Sequence, residues 1–159
     1  MEPKTKINAE NGKHDLMISR EFDLPLGLLF KAYIEPDIVE QWMGTKVLKL
    51  ESKQHGSYVF ETTDPQGNKH RFNGVIHEFI PNQKITRTFE MENTSFPVQL
   101  EFLEFESLTD KTSNLNMHIV FRSVAYRDQM LKLPFAQGIN MAHNRLQETV
   151  RLVRHSSQS

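Results

Sequence analysis

The feature that most constrains this chain is a long amphipathic segment near its C-terminus, residues 134–153. Apolar side chains recur there in steps of three and four, the spacing that keeps one side of an α-helix facing one way. Pro134 suits the first position of a helix, because its missing N–H would have no intrahelical partner there. About 20 residues form a rod of roughly 30 Å, which needs a broad apolar surface to cover. Its apolar members are Phe135, Ile139, Ala142, Leu146, Val150 and Val153.

Alternating apolar and polar residues predict a β-sheet that supplies this surface. Strong turn residues at 64–68 and other short connections favour antiparallel pairing of successive strands. A bulge is expected at Gly74, where a glycine interrupts a long strand pattern. The seven predicted strands are 16–22, 46–51, 58–61, 69–80, 85–91, 98–106 and 114–121.

Helical patterns fill the two remaining parts of the chain. Two short helices follow the first strand, with Asp23 as a plausible N-cap of the first and Gly44 as a left-handed end of the second. A third short helix is predicted over 125–133, just before Pro134. The order predicts an α+β fold, in which a curved antiparallel sheet of about seven strands wraps around a long C-terminal helix.

Bulk properties narrow the range of partners. We expect one domain over 16–154, with a mobile tail at 1–15 and a short tail at 155–159. The net charge of −1 provides no basic field for nucleic acid. No apolar run reaches the ~18 residues of a membrane span, so membrane insertion is not expected. The chain has no cysteine, which fits a cytoplasmic location.

A resemblance to a known family is carried by residues mostly at turns and helix ends, namely Pro25–Ala32, Glu35–Asp37, Trp42, Gly56–Tyr58, Gly74, Glu78, Pro81, Thr88 and Gly138. The sequence resembles relatives of the activator of the ninety-kDa heat-shock protein's ATPase, within the superfamily of the birch-pollen allergen and START lipid-transfer domains. The resemblance implies the helix-grip fold, a ligand cavity between sheet and helix, a possible chaperone-type partner and a link to stress response.

Three departures from the family pattern stand near the expected cavity. His55 replaces the first of two common glycines, and Ile139 replaces a tryptophan that often follows Gly138. Gly44 stands two residues after Trp42, where a second aromatic residue is frequent. A ligand known for a relative therefore does not transfer to this chain. Gly138 weakens a helix by up to ~1 kcal/mol relative to alanine, which close approach to another element or the shape of a pocket wall would explain.

The candidate cavity lining consists mainly of apolar residues that share a face under the long helix. Ordinary core packing is the alternative for each of them, and Trp42 is expected to pack at the sheet edge. A curved sheet that holds a helix away from its floor favours a concave apolar site. The predicted ligand-binding residues are Arg20, Trp42, Tyr58, Phe60, Phe72, Arg87, Phe89, Met117, Ile119, Phe135, Ile139 and Ala142.

Two of these residues, Arg20 and Arg87, are unusual because each shares a strand face with leucine, isoleucine, phenylalanine or methionine. A buried guanidinium needs an anion or carbonyl groups, since desolvating it unpaired costs several kcal/mol. One interpretation is that either arginine receives a carboxylate-bearing ligand in a bidentate contact. The alternative is that a bulge or a strand end turns each of them toward water.

Motifs for catalysis, metals or cofactors are not recognised in the sequence. Seven histidines are scattered without metal-ligand spacing, so no metal, cofactor or catalytic residue is predicted. Glu104 and Glu106 share a strand face and Glu101 lies on the other, and we interpret the three as a solvated outer strand face. Whether the protein is an enzyme stays open, and the lack of a motif favours a protein that is not one.

Three functions fit these observations. The first is a small-molecule-binding domain whose cavity takes a hydrophobic or amphipathic ligand. The second is a chaperone-associated interaction module that acts through its surface. The third is a cavity enzyme of aromatase/cyclase or hydrolytic type, which needs no motif. A void of roughly 300 Å³ or more favours binding or catalysis, whereas a filled interior with an apolar surface patch favours the interaction module.

Overall fold

The computed structural model, which describes residues 4–158, contains one antiparallel sheet of eight strands in the order β1-β2-β8-β7-β6-β5-β4-β3. The strands are β1 (Lys6–Asn8), β2 (Asp15–Phe22), β3 (Lys46–Leu50), β4 (Ser57–Thr63), β5 (Lys69–Ile80), β6 (Lys84–Met91), β7 (Gln99–Ser107) and β8 (Ser113–Val120). The helices are α1 (Leu26–Ile34), α2 (Pro36–Met43), α3 (Val124–Lys132) and α4 (Phe135–Gln158). The predicted α+β architecture is confirmed.

Strand alternation sorts side chains onto an inner and an outer face of the sheet. β2 pairs with β8, so that Ile18 lies opposite Met117, and β7 places Leu103 next to the same methionine. All three side chains are buried on the inner face. The two helices after β2 and the C-terminal helix cover this face, which gives the single core that the amphipathic pattern requires.

α1 and α4 cover different parts of the inner face. Phe30 of α1 packs edge-on against Phe105, with ring centroids 5.0 Å apart. α4 contributes Leu146 and Val150, both fully buried in the common core. The main-chain oxygen of Trp42 at the end of α2 accepts a hydrogen bond from Arg145 Nε at 3.0 Å, which fixes α4 beside α2.

Both segments predicted as tails contribute to regular elements. β1 lies inside the predicted tail 1–15 and pairs with β2, which raises the strand count from seven to eight. It covers an edge of β2 whose backbone groups would otherwise face solvent. At the other end, α4 continues to Gln158, because neither glycine nor proline follows Val153 to end a helix. Residues 1–3 and 159 lie outside the described residues.

The predicted turns and helix ends are mostly present, but the predictions for Asp23 and Gly74 need correction. Gly44 ends α2 with a φ of 64°, and Asp64 accepts hydrogen bonds from two backbone amides of the predicted turn. Asp23 is not the cap of α1, whose N-cap is Pro25. The expected bulge at Gly74 lies instead between Ile76 and Glu78. A Cβ built on Gly74 would stand 2.0 Å from the oxygen of Thr88, so glycine is required there for close strand packing.

Candidate ligand-binding site

A buried ion pair lies on the inner face of the sheet. Arg87 on β6 and Glu101 on β7 are directly opposite in the register. Arg87 Nε donates to Glu101 Oε1 at 3.0 Å, and Gln99 Nε2 donates to Glu101 Oε2 at 3.0 Å. Arg87 is 9% exposed and Glu101 is 5% exposed. Both carboxylate oxygens are thus occupied by donors from within the sheet.

Two tyrosines flank the guanidinium of Arg87. Its central carbon lies 5.3 Å from the ring centroid of Tyr58 and 6.0 Å from that of Tyr33. Burial raises the pKa of both phenols far above the usual range, so neither ring carries charge in water near neutral pH. Burial alone would lower the pKa of Arg87, but Tyr58, which is ionised only at high pH, and the carboxylate of Glu101 outweigh it and raise that pKa. The site therefore holds one cation and one anion.

The two terminal amino groups of Arg87 border accessible space. Among the described residues, the hydrogen bonds of this side chain are limited to the one from Nε. Every side-chain nitrogen or oxygen that is wholly buried in the described part has a hydrogen-bond partner. The Nη atoms have none and must therefore touch open space. They bring up to four N–H donors to the inner side of the sheet.

The apolar residues predicted to line the site fall into two groups. Tyr58, Phe60, Met117 and Ile119 are sealed in the core. Phe72 and Phe89 stack with centroids 5.6 Å apart and remain half-buried, although both belong to the inner face. On α4, the half-buried members of the apolar side are Phe135, Ile139 and Ala142. The first half of α4 is thus less tightly covered than the second half, where Leu146 and Val150 are sealed.

Arg20 is buried like Arg87 but has a different environment. Its exposure is 2%, and its Nη atoms donate to Asn144 Oδ1 at 2.8 Å and to Asn140 Oδ1 at 3.2 Å. Nη1 also donates to Thr5 Oγ1 at 3.4 Å. These neutral oxygens join β2, α4 and the N-terminal segment. Arg20 therefore ties three elements together, and neither arginine is turned toward bulk water.

His143 of α4 lies beside Arg20 of β2 and is not one of the predicted site residues. It is 1% exposed, contacts Phe22 edge-on at 5.5 Å, and its Nδ1 lies 2.7 Å from Thr5 Oγ1. Burial, with a smaller effect from the charge of Arg20, lowers the pKa of His143 to about 4. The sequence signal was its helical spacing, four residues after Ile139 and three before Leu146.

Trp42 packs between the two short helices. Its Nε1 donates to the main-chain oxygen of Ala32 at 2.7 Å, and its ring meets Tyr33 edge-on at 5.2 Å. The side chain is 5% exposed. Trp42 therefore positions Tyr33, which in turn stands beside the guanidinium of Arg87.

The interpretation of the three glutamates as a solvated outer face is wrong for Glu101. Glu104 and Glu106 are exposed on the outer face as predicted, but Glu101 belongs to the inner set of β7 with Gln99 and Leu103. Alternation along β7 held the signal, since Glu101 shares its face with the buried Leu103 and Phe105. Within the described residues, no group of three His, Asp or Glu side chains has a metal-binding arrangement.

A separate surface cleft of about 560 Å³ lies between α1 and the turn that joins β5 to β6. None of the twelve predicted ligand-binding residues lines it. Its lining includes apolar residues and charged residues, namely Leu28, Ile34, Phe79, Lys31 and Glu35. The cleft is therefore distinct from the site around Arg87.

Comparison with known proteins finds a family whose model matches most of this chain. A model of the family described as activator of Hsp90 ATPase homolog 1-like protein matches residues 23–151. No curated protein matches the chain in sequence. None of the described helices is both long and apolar enough to cross a membrane.

Solved structures share the fold at low identity. A protein from Rhodobacter sphaeroides superposes with a TM-score of 0.84 at 17% identity, over 94% of this chain and 99% of that one. A protein from Mycobacterium smegmatis gives 0.81 at 20% identity, over 92% and 96%. An Arthrobacter aurescens protein gives 0.82 at 15% identity, over 92% and 91%. At these identities the likeness concerns the fold alone.

Proposed function

Because this chain belongs to the family of activator of Hsp90 ATPase homolog 1-like proteins, whose fold suits ligand binding, we propose that it binds a hydrophobic or amphipathic small molecule. The ligand occupies the space between the inner face of the sheet and the first half of α4. A cytoplasmic location, predicted from the absence of cysteine, is part of the proposal.

One observation carries the proposal: an inner face that is incompletely covered. Phe72 and Phe89 are half-buried, although their neighbours Tyr58 and Phe60 are sealed. Apolar rings left accessible in a concave place are the usual lining of small-molecule sites. The half-buried Ile139 of α4 fits the opposite wall. A fully packed core would have no reason to leave aromatic rings of its inner face within reach of solvent.

A blocking substitution with a matched control tests this proposal. Ala142→Trp places an indole on the half-buried side of α4, whereas Met141→Trp places one on the exposed side, at a residue 49% exposed. The probe is N-phenyl-1-naphthylamine, an uncharged dye whose fluorescence rises in apolar surroundings. We expect the parent protein and M141W to bind the dye and A142W to lose it. Equal binding by A142W and M141W contradicts the proposed position.

The natural ligand is sought by native mass spectrometry of gently purified protein. A co-purified small molecule that is present in M141W and absent from A142W would identify the occupant. The same pair of variants thus serves for both the dye and the natural compound.

A second candidate function rests on the surface cleft beside α1. Its lining combines the apolar residues Leu28 and Ile34 with the charged residues Lys31 and Glu35, a composition that suits a small protein-binding groove. The family description points to the Hsp90 ATPase as the partner to test. In this alternative the protein raises the Hsp90 ATPase rate, and Leu28→Asp removes the effect while A142W retains it. No change in rate with the parent protein excludes this function.

A further inference from the structure

From the ion pair, and resting on the proposed ligand site, we infer that the ligand carries an uncharged carbonyl group, as a ketone, ester or amide, which accepts hydrogen bonds from the Nη atoms of Arg87. A carboxylate-bearing ligand at either arginine was one of the two interpretations offered by the sequence. The arrangement of charges around Arg87 favours the uncharged group.

The first step concerns the donors. Arg87 uses Nε for Glu101, at 3.0 Å, and its two Nη groups border accessible space. The Tyr58 hydroxyl donates to the Thr88 oxygen at 2.5 Å, and among the described residues it accepts no hydrogen bond from Arg87. A guanidinium with unused N–H groups in an apolar place gains most from an acceptor that comes with the ligand.

The second step concerns charge. Glu101 already neutralises Arg87, and its two oxygens are held by Arg87 and Gln99. A carboxylate ligand would put a second anion on the same guanidinium and leave one net negative charge away from water. Desolvating an unbalanced charge costs several kcal/mol. A carbonyl oxygen accepts the same N–H groups and leaves the net charge of the site at zero.

The third step concerns the surroundings of the donors. Phe89 lies two residues after Arg87 on the same strand face and stacks on Phe72. Both rings are half-buried, so that an apolar body placed against them would bring its polar end toward Arg87. The ligand class is thus an amphipathic molecule with an aromatic or aliphatic body and a carbonyl end.

The contrast with Arg20 supports the assignment to Arg87. Arg20 is also buried, but its two Nη groups already donate to Asn140, Asn144 and Thr5. Those acceptors belong to the protein itself. Among the described residues, no side chain or backbone oxygen accepts a hydrogen bond from the Nη groups of Arg87, so a ligand can supply this acceptor.

The test uses Prodan, 6-propionyl-2-dimethylaminonaphthalene, an uncharged ketone whose emission moves to lower energy when its carbonyl accepts a hydrogen bond. The variant R87M/E101Q removes the donors and the paired charge together. The control R71M/E61Q removes a pair with the same Nε–O distance of 3.0 Å on the outer face. We expect the first variant to bind Prodan about tenfold more weakly, the equivalent of one charge-assisted hydrogen bond, with emission at higher energy. The control should match the parent protein.

Competition on the unmodified protein keeps the inference testable if the variant does not fold. At pH 7.5, 2-acetylnaphthalene should displace Prodan well, and 2-naphthoate, its carboxylate counterpart, should do so poorly. Equal or better displacement by 2-naphthoate overturns the uncharged head group. If Prodan binds R87M/E101Q as tightly as it binds the parent protein and with the same emission, the role of Arg87 is overturned, but the proposed ligand site is not. Failure of Prodan and of N-phenyl-1-naphthylamine to bind the parent protein overturns the proposed function itself.

Discussion

His143 is an imidazole that the fold keeps uncharged. Burial first, and the positive charge of Arg20 second, lower its pKa from 6.5 to about 4. His143 therefore becomes protonated near pH 6.5 in the unfolded chain, but only near pH 4 in the folded chain. The free energy of unfolding falls as the pH drops through this window, by up to about 1.4 kcal/mol per pH unit from this one group.

His143→Gln should remove this contribution to the pH dependence, because an amide does not titrate. Urea unfolding of the parent and the variant at pH 7.5 and pH 4.5 is the measurement. We expect the parent to lose about 2–3 kcal/mol more than the variant over this range. Contributions of other carboxylates and histidines cancel in the difference. An identical loss in both proteins would mean that His143 is protonated in the native state.

Two glycines of this chain should respond to substitution by alanine with opposite changes in stability. A Cβ on Gly74 would meet the Thr88 oxygen at 2.0 Å and the Tyr58 hydroxyl at 2.5 Å, whereas a Cβ on the exposed Gly138 meets nothing within 4 Å. Gly74→Ala should therefore destabilise by about 1–3 kcal/mol, and Gly138→Ala should stabilise by about 0.5–1 kcal/mol through helix propensity. Thermal melts of the two variants check both signs. Neither close approach nor a crowded neighbour explains Gly138.

At the scale of elements, α4 shows why part of the fold could be predicted. Its periodicity marks Leu146 and Val150 as inward, and both are sealed. The half-buried state of Phe135 could not be predicted in this way, because it depends on how far the helix stands from the sheet. Nor could β1, since three residues are too few to show a pattern until an edge of β2 is there to pair with them.

The alternation of side chains along β2 and β6 predicts Arg20 and Arg87 as inner-face residues. It does not predict which partners the two arginines contact. Asn140, Asn144 and Thr5 reach Arg20 from distant parts of the chain. Glu101 reaches Arg87 through the β6–β7 register, which a single sequence does not specify. The candidate site was therefore predictable as a face of the sheet and not as a set of charges.

Leu146 tests the anchoring of α4. Its side chain is 0% exposed, and Leu146→Ala should cost about 2–5 kcal/mol of unfolding free energy as a core truncation. Leu152→Ala on the same helix is the control, because this residue is 59% exposed and should change stability by less than about 0.5 kcal/mol. Phe135→Ala should fall between them, since its ring is half-buried. Denaturant midpoints for the three variants decide the order, and a small effect of Leu146→Ala would contradict the packing of α4.

For the whole molecule, the Arg87–Glu101 pair is expected to contribute more to ligand binding than to the free energy of unfolding. A buried ion pair adds little net stability, since the cost of desolvating both groups offsets their attraction. A domain whose inner face served only as a core would do at least as well with apolar side chains there. Retaining the pair, with Gln99 directed at the same carboxylate, is understandable if a ligand uses the remaining donors.

A double-mutant cycle measures this balance in the ligand-free protein. R87M alone leaves Glu101 buried without its cation, and E101Q alone leaves Arg87 without its anion, so each should destabilise by about 3–5 kcal/mol. R87M/E101Q removes both charges and should return to within about 1 kcal/mol of the parent protein, or exceed it. Urea unfolding of the four proteins without ligand gives the coupling energy. If the double variant loses the sum of the two single losses, the coupling energy is zero, each side chain stabilises the core independently of the other, and the pair needs no ligand to explain it.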